Sequence, residues 1–203
     1  MIAIVDYGVG NLFSLCSSLK ALGLEAEVTA DPAKLHAAER IILPGVGAFG
    51  DAKQKLEETG LVPLLKEEAQ KKPFLGICLG MQLLFEKSFE YGEHEGLGFV
   101  SGEVVDLRED LTEQTLKVPH MGWNSLEIRT DDPIFKYVRD GEYVYYVHSF
   151  YGRNCAESTL ATSQYGNVAV TGVVKSGKVY GTQFHPEKSG ETGLRLLKAF
   201  AEL

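Results

Sequence analysis

The sequence predicts an α/β protein, a three-layer domain around a mixed sheet with a parallel N-terminal half and a more antiparallel C-terminal half. Up to Ser88, short apolar runs alternate with amphipathic segments through brief glycine turns, as in a doubly wound parallel sheet with right-handed crossovers. Beyond Ser88, helical periodicity fades and short β-like runs take over. Because 203 residues with 44% hydrophobic content can bury one sizeable core, we expect a single domain over residues 1–203.

The first unit is a strand, a polar turn and a helix. Residues 2–5 form a short apolar run, and residues 6–11 form a glycine-rich turn. Leucines then recur at helical spacing up to Leu22, and Gly23 stands where a helix ends. Residues 25–29 alternate in polarity, which predicts the second strand of the sheet.

The next unit repeats this order. Asp31 is followed by Pro32, a pair typical of a helix N-cap and its first helical position. Residues 40–43 are a third apolar run, and they lead through glycines into a charged helix predicted to end near Thr59, before Gly60.

The second half of the chain is predicted to be mainly antiparallel. The clearest hairpin pairs residues 168–174 with residues 178–184 through a Lys-Ser-Gly turn. An amphipathic helix carrying Leu194, Leu197 and Ala201 is expected to cover the sheet at the end of the chain. The other β-like runs are residues 103–107, 125–128, 143–147 and 160–162.

Composition excludes several classes of function. The net charge is −8 and there is no basic run, which argues against a nucleic-acid or anionic-membrane surface. Three scattered cysteines form neither a paired framework nor a C-x-x-C metal motif, so we expect a reducing, cytoplasmic setting, no metal and no cofactor. No apolar run is long enough to cross a bilayer.

Cys78 is the first candidate catalytic residue. Residues 73–77 read as a buried fourth strand and residues 81–86 as the helix after it, which places Cys78 at the bend between Gly76 and Gly80. The start of a helix favours a thiolate, and G-x-C-x-G is the cysteine counterpart of the nucleophile elbow of serine hydrolases. The alternative is a structural cysteine packed between strand and helix.

The stretch Gly45-Val46-Gly47-Ala48-Phe49-Gly50 matches the G-x-G-x-x-G dinucleotide fingerprint, but we reject nucleotide binding. The fingerprint needs an acidic residue at the end of the second strand, whereas the residues about twenty further on lie in a charged helix. The glycines instead suit a loop that turns a backbone N–H toward an oxyanion.

His185 is the candidate base for the cysteine. Pro186 confines the preceding residue to an extended conformation, so His185 and Glu187 are expected to project to one side, where the carboxylate can orient the imidazole. The alternative is a surface turn. Packing or hydrogen-bonding roles are expected for the other histidines, which are His36, His94, His120 and His148.

These motifs resemble those of class I (triad-type) glutamine amidotransferases, and in particular the glutaminase subunits of imidazole glycerol phosphate synthase. The resemblance runs from end to end, with Pro119-His120-Met121-Gly122-Trp123-Asn124 as its most specific part. Phe150 departs from it, because the family commonly carries tyrosine there, which puts a hydroxyl contact in doubt. The other stretches that carry the resemblance are residues 6–12, 43–49, 76–82, 147–150 and 185–187.

The resemblance implies a flavodoxin-like fold and glutamine hydrolysis through a thioester on Cys78, with His185 as the acid–base and Glu187 as its support. It implies an oxyanion hole made by the N–H of Leu79 and one from the loop that holds Val46 and Gly47. The residues implied to bind glutamine are Gly45, Gln82, Ser149 and Phe150.

It also implies a partner, a (β/α)8-barrel cyclase subunit that uses the ammonia to make imidazole glycerol phosphate and an aminoimidazole carboxamide ribotide. Met121 and Trp123 would dock that partner in a heterodimer, unless they anchor their own loop in the core. Two alternatives stay open. One is a glutaminase of pyridoxal phosphate synthesis, which residues 119–124 disfavour, and the other is a catalytically silent binding homologue.

Overall fold

The computed structural model describes all residues from Met1 to Leu203. The helices are α1 (Leu12–Ala21), α2 (Pro32–Ala37), α3 (Phe49–Glu58), α4 (Val62–Lys71), α5 (Leu79–Gln82), α6 (Leu107–Asp110) and α7 (Gly190–Ala201). The strands are β1 (Ile2–Val5), β2 (Ala26–Thr29), β3 (Arg40–Leu43), β4 (Phe74–Ile77), β5 (Phe85–Ser88), β6 (His94–Glu95), β7 (Val100–Asp106), β8 (His120–Ser125), β9 (Glu127–Ile128), β10 (Tyr143–His148), β11 (Phe150–Arg153), β12 (Thr159–Tyr165), β13 (Val168–Ser176) and β14 (Val179–Thr182).

The central sheet has eight strands in the order β2-β1-β3-β4-β14-β13-β12-β9. The five strands from β2 to β14 run parallel, and β13, β12 and β9 follow with antiparallel pairing. The predicted mixed sheet is therefore confirmed, and so is the hairpin of β13 and β14. The hairpin matters for the site, because it brings the C-terminal part of the chain beside β4.

The sheet is covered on both faces, as its alternating burial shows. Along β1, Ile2 and Ile4 belong to one apolar cluster and Ala3 and Val5 to another. The first cluster includes side chains of α1 and α7, and the second includes side chains of α2, α3 and α4. Side chains of a strand point alternately to its two faces, so this partition gives the three layers that the sequence predicts.

The prediction of a helix over residues 81–86 is wrong. After the single turn of α5, the chain enters β5, which pairs with β7 in a four-stranded sheet of order β11-β7-β5-β6. The carbonyl of Leu83 accepts from the N–H of Leu97 at 2.7 Å, and the carbonyl of Leu84 accepts from Phe99 at 2.8 Å. These hydrogen bonds to a later segment replace the helical ones, and helical spacing alone cannot foresee them.

Two strands that leave the main sheet, β8 and β10, form a separate antiparallel ribbon that places His120 opposite His148. The ribbon and the small sheet reach the carboxyl end of β4, since Val147, Phe150 and Cys78 line one cavity. None of the helices is long and apolar enough to cross a membrane.

Candidate active site

Cys78 lies at the end of β4 in a strained backbone conformation, with φ 54° and ψ −110°. A positive φ is unfavourable for a residue with a β-carbon and costs about 1–3 kcal/mol, so the surrounding packing must hold it. Cys78 is 7% exposed and lines a cavity at the carboxyl edge of the sheet. This is the geometry of a nucleophile elbow, as the sequence predicts.

The glycines around the elbow are required by close backbone packing. A β-carbon on Gly80 would lie 1.9 Å from the carbonyl oxygen of Leu43, and one on Gly76 would lie 2.6 Å from the oxygen of Gly80. One on Gly45 would lie 2.6 Å from the nitrogen of Gly80. Three backbone segments meet here with no room for side chains, and their contact fixes the loop after β3 against the nucleophile.

The sequence predicts that the start of the helix after Cys78 favours the thiolate, but the structure gives this helix a single turn. α5 has four residues, so its dipole is small compared with that of a full helix. The positive group near the sulfur is instead the imidazole of His185, which lines the same cavity as Cys78 and is hydrogen-bonded to Glu187.

His185 and Glu187 form a buried pair. Nδ1 of His185 lies 2.8 Å from Oε1 of Glu187, and both side chains are 3% exposed. Burial lowers the pKa of His185, but the hydrogen bonds and negative charges of Cys78 and Glu187 outweigh it and raise the pKa to about 10. Because Glu187 occupies Nδ1, Nε2 is left for the sulfur, and the imidazolium form is favoured at neutral pH.

The pair forms for a reason that differs from the predicted one. His185 has the extended conformation expected before proline, with φ −94° and ψ 101°. The chain then makes a single 3₁₀ turn over Pro186–Lys188 and does not continue as a strand. This turn, closed by a hydrogen bond from the N–H of Lys188 to the carbonyl of His185 at 3.0 Å, brings the carboxylate back to the imidazole.

A cavity of about 380 Å³ opens above the sulfur. Cys78, His185, Leu79, Val46 and Gly47 lie together in its wall, and the left-handed φ of 95° at Gly47 turns the loop there. Gly45 lies beneath, against Gly80. Leu79 follows the nucleophile directly, so its N–H and one from the loop are the candidate oxyanion donors. The remaining wall residues are Gln82, Glu90, Tyr91, Arg108, Pro119, Val147, His148, Ser149, Phe150 and Lys188.

This chain is similar in sequence and fold to known proteins. A family model for class-I glutamine amidotransferases matches residues 3–202. The imidazole glycerol phosphate synthase subunit HisH of Caldanaerobacter subterraneus subsp. tengcongensis is 49% identical, over all of this chain and 98% of that protein. Subunit HisH 1 of Campylobacter jejuni is 46% identical over the full length of both. The chain belongs to the class-I glutamine amidotransferases, in the group of HisH subunits.

Solved structures agree with the fold of this class-I amidotransferase. PurLQS from Thermotoga maritima superimposes with a TM-score of 0.75 at 21% identity, over 99% of this chain and 97% of that one. At such identity the likeness supports the fold alone. The family and the fold that the sequence predicts are both confirmed.

In this amidotransferase, the predicted glutamine-binding residue Gln82 is buried and already bonded. Its Nε2 donates to the main-chain oxygen of Phe150 at 2.9 Å and to Oε1 of Gln183 at 3.1 Å. Only its own carbonyl oxygen is left for a ligand. Phe150 contributes that main-chain oxygen, so this contact does not depend on a tyrosine hydroxyl at the position. Ser149 lies beside it in the cavity wall.

Sequence reasoning missed Glu90. Its carboxylate accepts from the N–H of Phe49 at 2.7 Å at the start of α3, and it also faces the cavity. Burial raises the pKa of Glu90, while the bond from Phe49 opposes the shift. The residue that gives it a fixed place is 41 positions away, and Glu90 itself stands in a charged loop, so nothing local distinguishes it.

Behind the cavity, His148 and His120 form a buried pair. Nδ1 of His148 lies 2.9 Å from the oxygen of Phe150, and its Nε2 lies 2.9 Å from Nδ1 of His120. Burial lowers the pKa of His148 to about 3, helped by the charges of His120 and His185, and lowers the pKa of His120 to about 4. Both rings are therefore neutral at neutral pH and hydrogen-bond to each other, which agrees with the packing or hydrogen-bonding roles that the sequence predicts for them.

Met121 and Trp123 lie on the outside of the ribbon, 61% and 55% exposed. Trp123 packs its ring edge-on against Tyr145 with 5.9 Å between centroids and contributes nothing to the core. They line no part of the cavity wall. Two large apolar side chains exposed side by side on one strand are typical of a docking surface.

Proposed function

We propose that this chain is the glutaminase subunit of an imidazole glycerol phosphate synthase and hydrolyses L-glutamine to glutamate and ammonia. The observation that supports this most directly is the buried Cys78–His185–Glu187 arrangement at the base of a cavity. His185 is hydrogen-bonded to Glu187 and shares the cavity wall with Cys78, which supports an assignment of nucleophile, base and orienting carboxylate.

In the proposed reaction, the Cys78 thiolate attacks the side-chain amide carbon of glutamine. The N–H groups of Leu79 and of the loop at Val46 and Gly47 would stabilise the resulting oxyanion, each by about 3 kcal/mol. His185 gives its proton to the departing nitrogen, the C–N bond breaks, and ammonia leaves a γ-glutamyl thioester. Water then attacks, His185 takes its proton, and the C–S bond breaks to release glutamate.

The charges of the cavity suit the other end of glutamine. Glu90 offers a carboxylate to the α-ammonium, and the free oxygen of Gln82 is a second acceptor. Arg108 and Lys188 provide positive charge for the α-carboxylate. Gly45 would act indirectly, by holding the loop that carries the oxyanion donors.

We propose further that residues 1–203 act as one domain, in the cytoplasm, with a (β/α)8-barrel cyclase as the partner in a heterodimer. The names of the relatives describe subunits of a synthase. Ammonia set free in water at neutral pH is protonated, so transfer to a second site requires a dry passage. Met121 and Trp123 are the proposed docking residues, and the free state of all three cysteines suits a reducing compartment.

The test is an assay of glutamine hydrolysis with and without the cyclase subunit and its nucleotide ligand. We expect weak activity alone and strong stimulation in the complex. Cys78→Ala should abolish glutamine-dependent synthesis but retain synthesis from ammonium salts, while the matched Cys16→Ala variant should keep both. Trp123→Ala should require more cyclase for half-maximal stimulation.

Stimulation by a different acceptor, such as the pyridoxal phosphate synthase subunit, would refute the synthase assignment. Absence of hydrolysis under all conditions would identify a silent homologue. Loss of the ammonium-dependent reaction in Cys78→Ala would show that the two chemistries are not divided between the subunits as proposed.

A further inference from the structure

Gln183 lies two residues before the base, and its side chain is completely enclosed, with 0% of the residue exposed. Its Nε2 lies 3.8 Å from Sγ of Cys78, within hydrogen-bonding distance for a sulfur acceptor. Its Oε1 accepts from Gln82 at 3.1 Å. An amide buried without solvent contact, with one end on the nucleophile, is a built feature of the site that the acid–base chemistry of His185 does not use.

The orientation of this amide follows from its neighbours. The main-chain oxygen of Phe150 can only accept, so Gln82 must direct its NH₂ group toward it. The same NH₂ group reaches Gln183, which must therefore present its oxygen to Gln82. The NH₂ group of Gln183 is thereby directed at the sulfur. The side-chain amides of Gln82 and Gln183 therefore each have one orientation that satisfies their hydrogen-bonding partners.

We propose that Gln183 is a further catalytic residue, a neutral donor that hydrogen-bonds the Cys78 sulfur and stabilises its thiolate. The inference rests on the proposed function, in which Cys78 is the nucleophile. His185 loses its proton to the departing ammonia and regains one from the attacking water, whereas the amide of Gln183 remains a hydrogen-bond donor through the whole cycle. When water attacks and the C–S bond breaks, the electron pair returns to sulfur, where the N–H of Gln183 is already placed to receive it.

Other ionisable groups lie near the same sulfur. His185 lies on one side, and Tyr7, whose pKa is raised by burial and by the charge of Cys78, lies on another. Tyr7 donates its hydroxyl to the carbonyl of Pro44 at 2.5 Å and so points away from the sulfur as a donor. Across the cavity stand Glu90, Arg108 and Lys188. Substituting Gln183 leaves all of these charges in place.

The test is the pH dependence of the alkylation of Cys78 by iodoacetamide in the isolated chain, quantified by peptide mass spectrometry. In Gln183→Met, which keeps the length but removes the donor, we expect the acid limb to move up by about one pH unit, the shift expected from losing one hydrogen bond to a thiolate. The control is Thr182→Val, since Thr182 is equally buried and its hydroxyl has no partner. Its limb should match that of the wild type.

The free energy of unfolding of each variant, measured by denaturant titration, gives a separate measure of folding. If Gln183→Met opens the core, Gln183→Leu replaces it, and its loss of the donor should move the limb in the same direction by a similar amount. An unchanged limb in a folded variant would overturn the proposal. Alkylation needs no glutamine, so this result is separate from failure of the glutaminase assignment.

A second readout uses turnover in the complex. Because Gln183 touches sulfur and is not part of the cavity wall, its loss should lower kcat about tenfold and leave KM nearly unchanged. The γ-glutamyl thioester on Cys78 should accumulate in rapidly quenched samples of Gln183→Met. A rise in KM with kcat unchanged and no accumulated thioester would place Gln183 in substrate binding and contradict the proposed role.

Discussion

At the scale of single residues, the charge of Glu187 decides the protonation state of His185. The carboxylate is enclosed with the imidazole, where little solvent screens their attraction. Glu187→Gln keeps an oxygen acceptor for Nδ1 and removes the charge. The pKa of His185, followed by NMR, should fall by about 1–3 units, and glutamine hydrolysis should slow by roughly 10- to 100-fold.

The matched variant is Glu191→Gln, which removes an exposed carboxylate a few residues later, in the first turn of α7. It should change neither the pKa of His185 nor the rate. A normal rate in Glu187→Gln despite a lowered pKa would mean that the carboxylate orients the ring without contributing its charge.

The residues that sequence alone could locate share a local signature. Cys78 stands between two glycines after an apolar run, and His185 stands before proline two residues from an acid. Glu90 and Gln183 carry no such signature, because their partners Phe49 and Cys78 are 41 and 105 residues away in the chain. Only the folded sheet brings these groups together, so a single sequence cannot rank them above other polar residues.

At the scale of elements, the elbow depends on close contact between the end of β3 and the start of α5. Gly80→Ala would place a methyl carbon 1.9 Å from the carbonyl oxygen of Leu43, and backbone must move to relieve it. We expect a loss of about 3 kcal/mol or more in the free energy of unfolding, measured by denaturant titration. Gly23→Ala is the comparison, because Gly23 has φ 69° with no heavy atom near the added carbon.

Gly23→Ala should therefore lower the free energy of unfolding by only about 1 kcal/mol, the penalty for a side chain in the left-handed conformation. Similar losses in the two variants would mean that the backbone around Gly80 adapts easily, and that the packing of the elbow is looser than its distances indicate.

Elements with a regular local pattern were predictable, and those built on distant pairing were not. The parallel strands, the ends of α1 and α3, and the β13–β14 hairpin follow from apolar runs, glycines and alternation. β5, β6 and β11 are absent from the sequence prediction because they are short and gain their hydrogen bonds from one another and from β7. The same tertiary pairing ended the helix predicted over residues 81–86 at Gln82.

At the scale of the whole molecule, the site is assembled from both halves of the chain. Cys78 ends a strand of the parallel half, whereas His185 follows the hairpin of the antiparallel half. A change that destabilises the fold should therefore also disrupt the site. Several buried ionisable groups link both to pH, and their contributions fall in different pH ranges.

His185, whose pKa is raised, loses its contribution to stability only as the pH rises from about 6.5 toward 10. For Glu68, burial acts to raise the pKa, but Lys72 and His36 hold it at about 2, and this contribution is lost only as the pH falls below about 4.5. Between these ranges lies a window in which His120 and His148 act together, opposed by Glu90, whose pKa burial raises.

In that window, from about pH 6.5 down to pH 5, acid should destabilise the protein through His120 and His148. In the unfolded chain each imidazole has its ordinary pKa of 6.5. In the folded protein burial lowers the pKa of His120 to about 4 and that of His148 to about 3. The unfolded chain then binds more protons, so the free energy of unfolding should fall by about 1–3 kcal/mol per pH unit in denaturant titrations. His148→Gln should flatten this slope. Tyr146→Phe, which removes the hydrogen bond between Tyr146 and Ser163 and keeps the ring stacked on His120, should lower stability by the same amount throughout this pH window. Parallel curves for the wild type and His148→Gln would mean that the ring of His148 takes up protons in the folded state as readily as in the unfolded one.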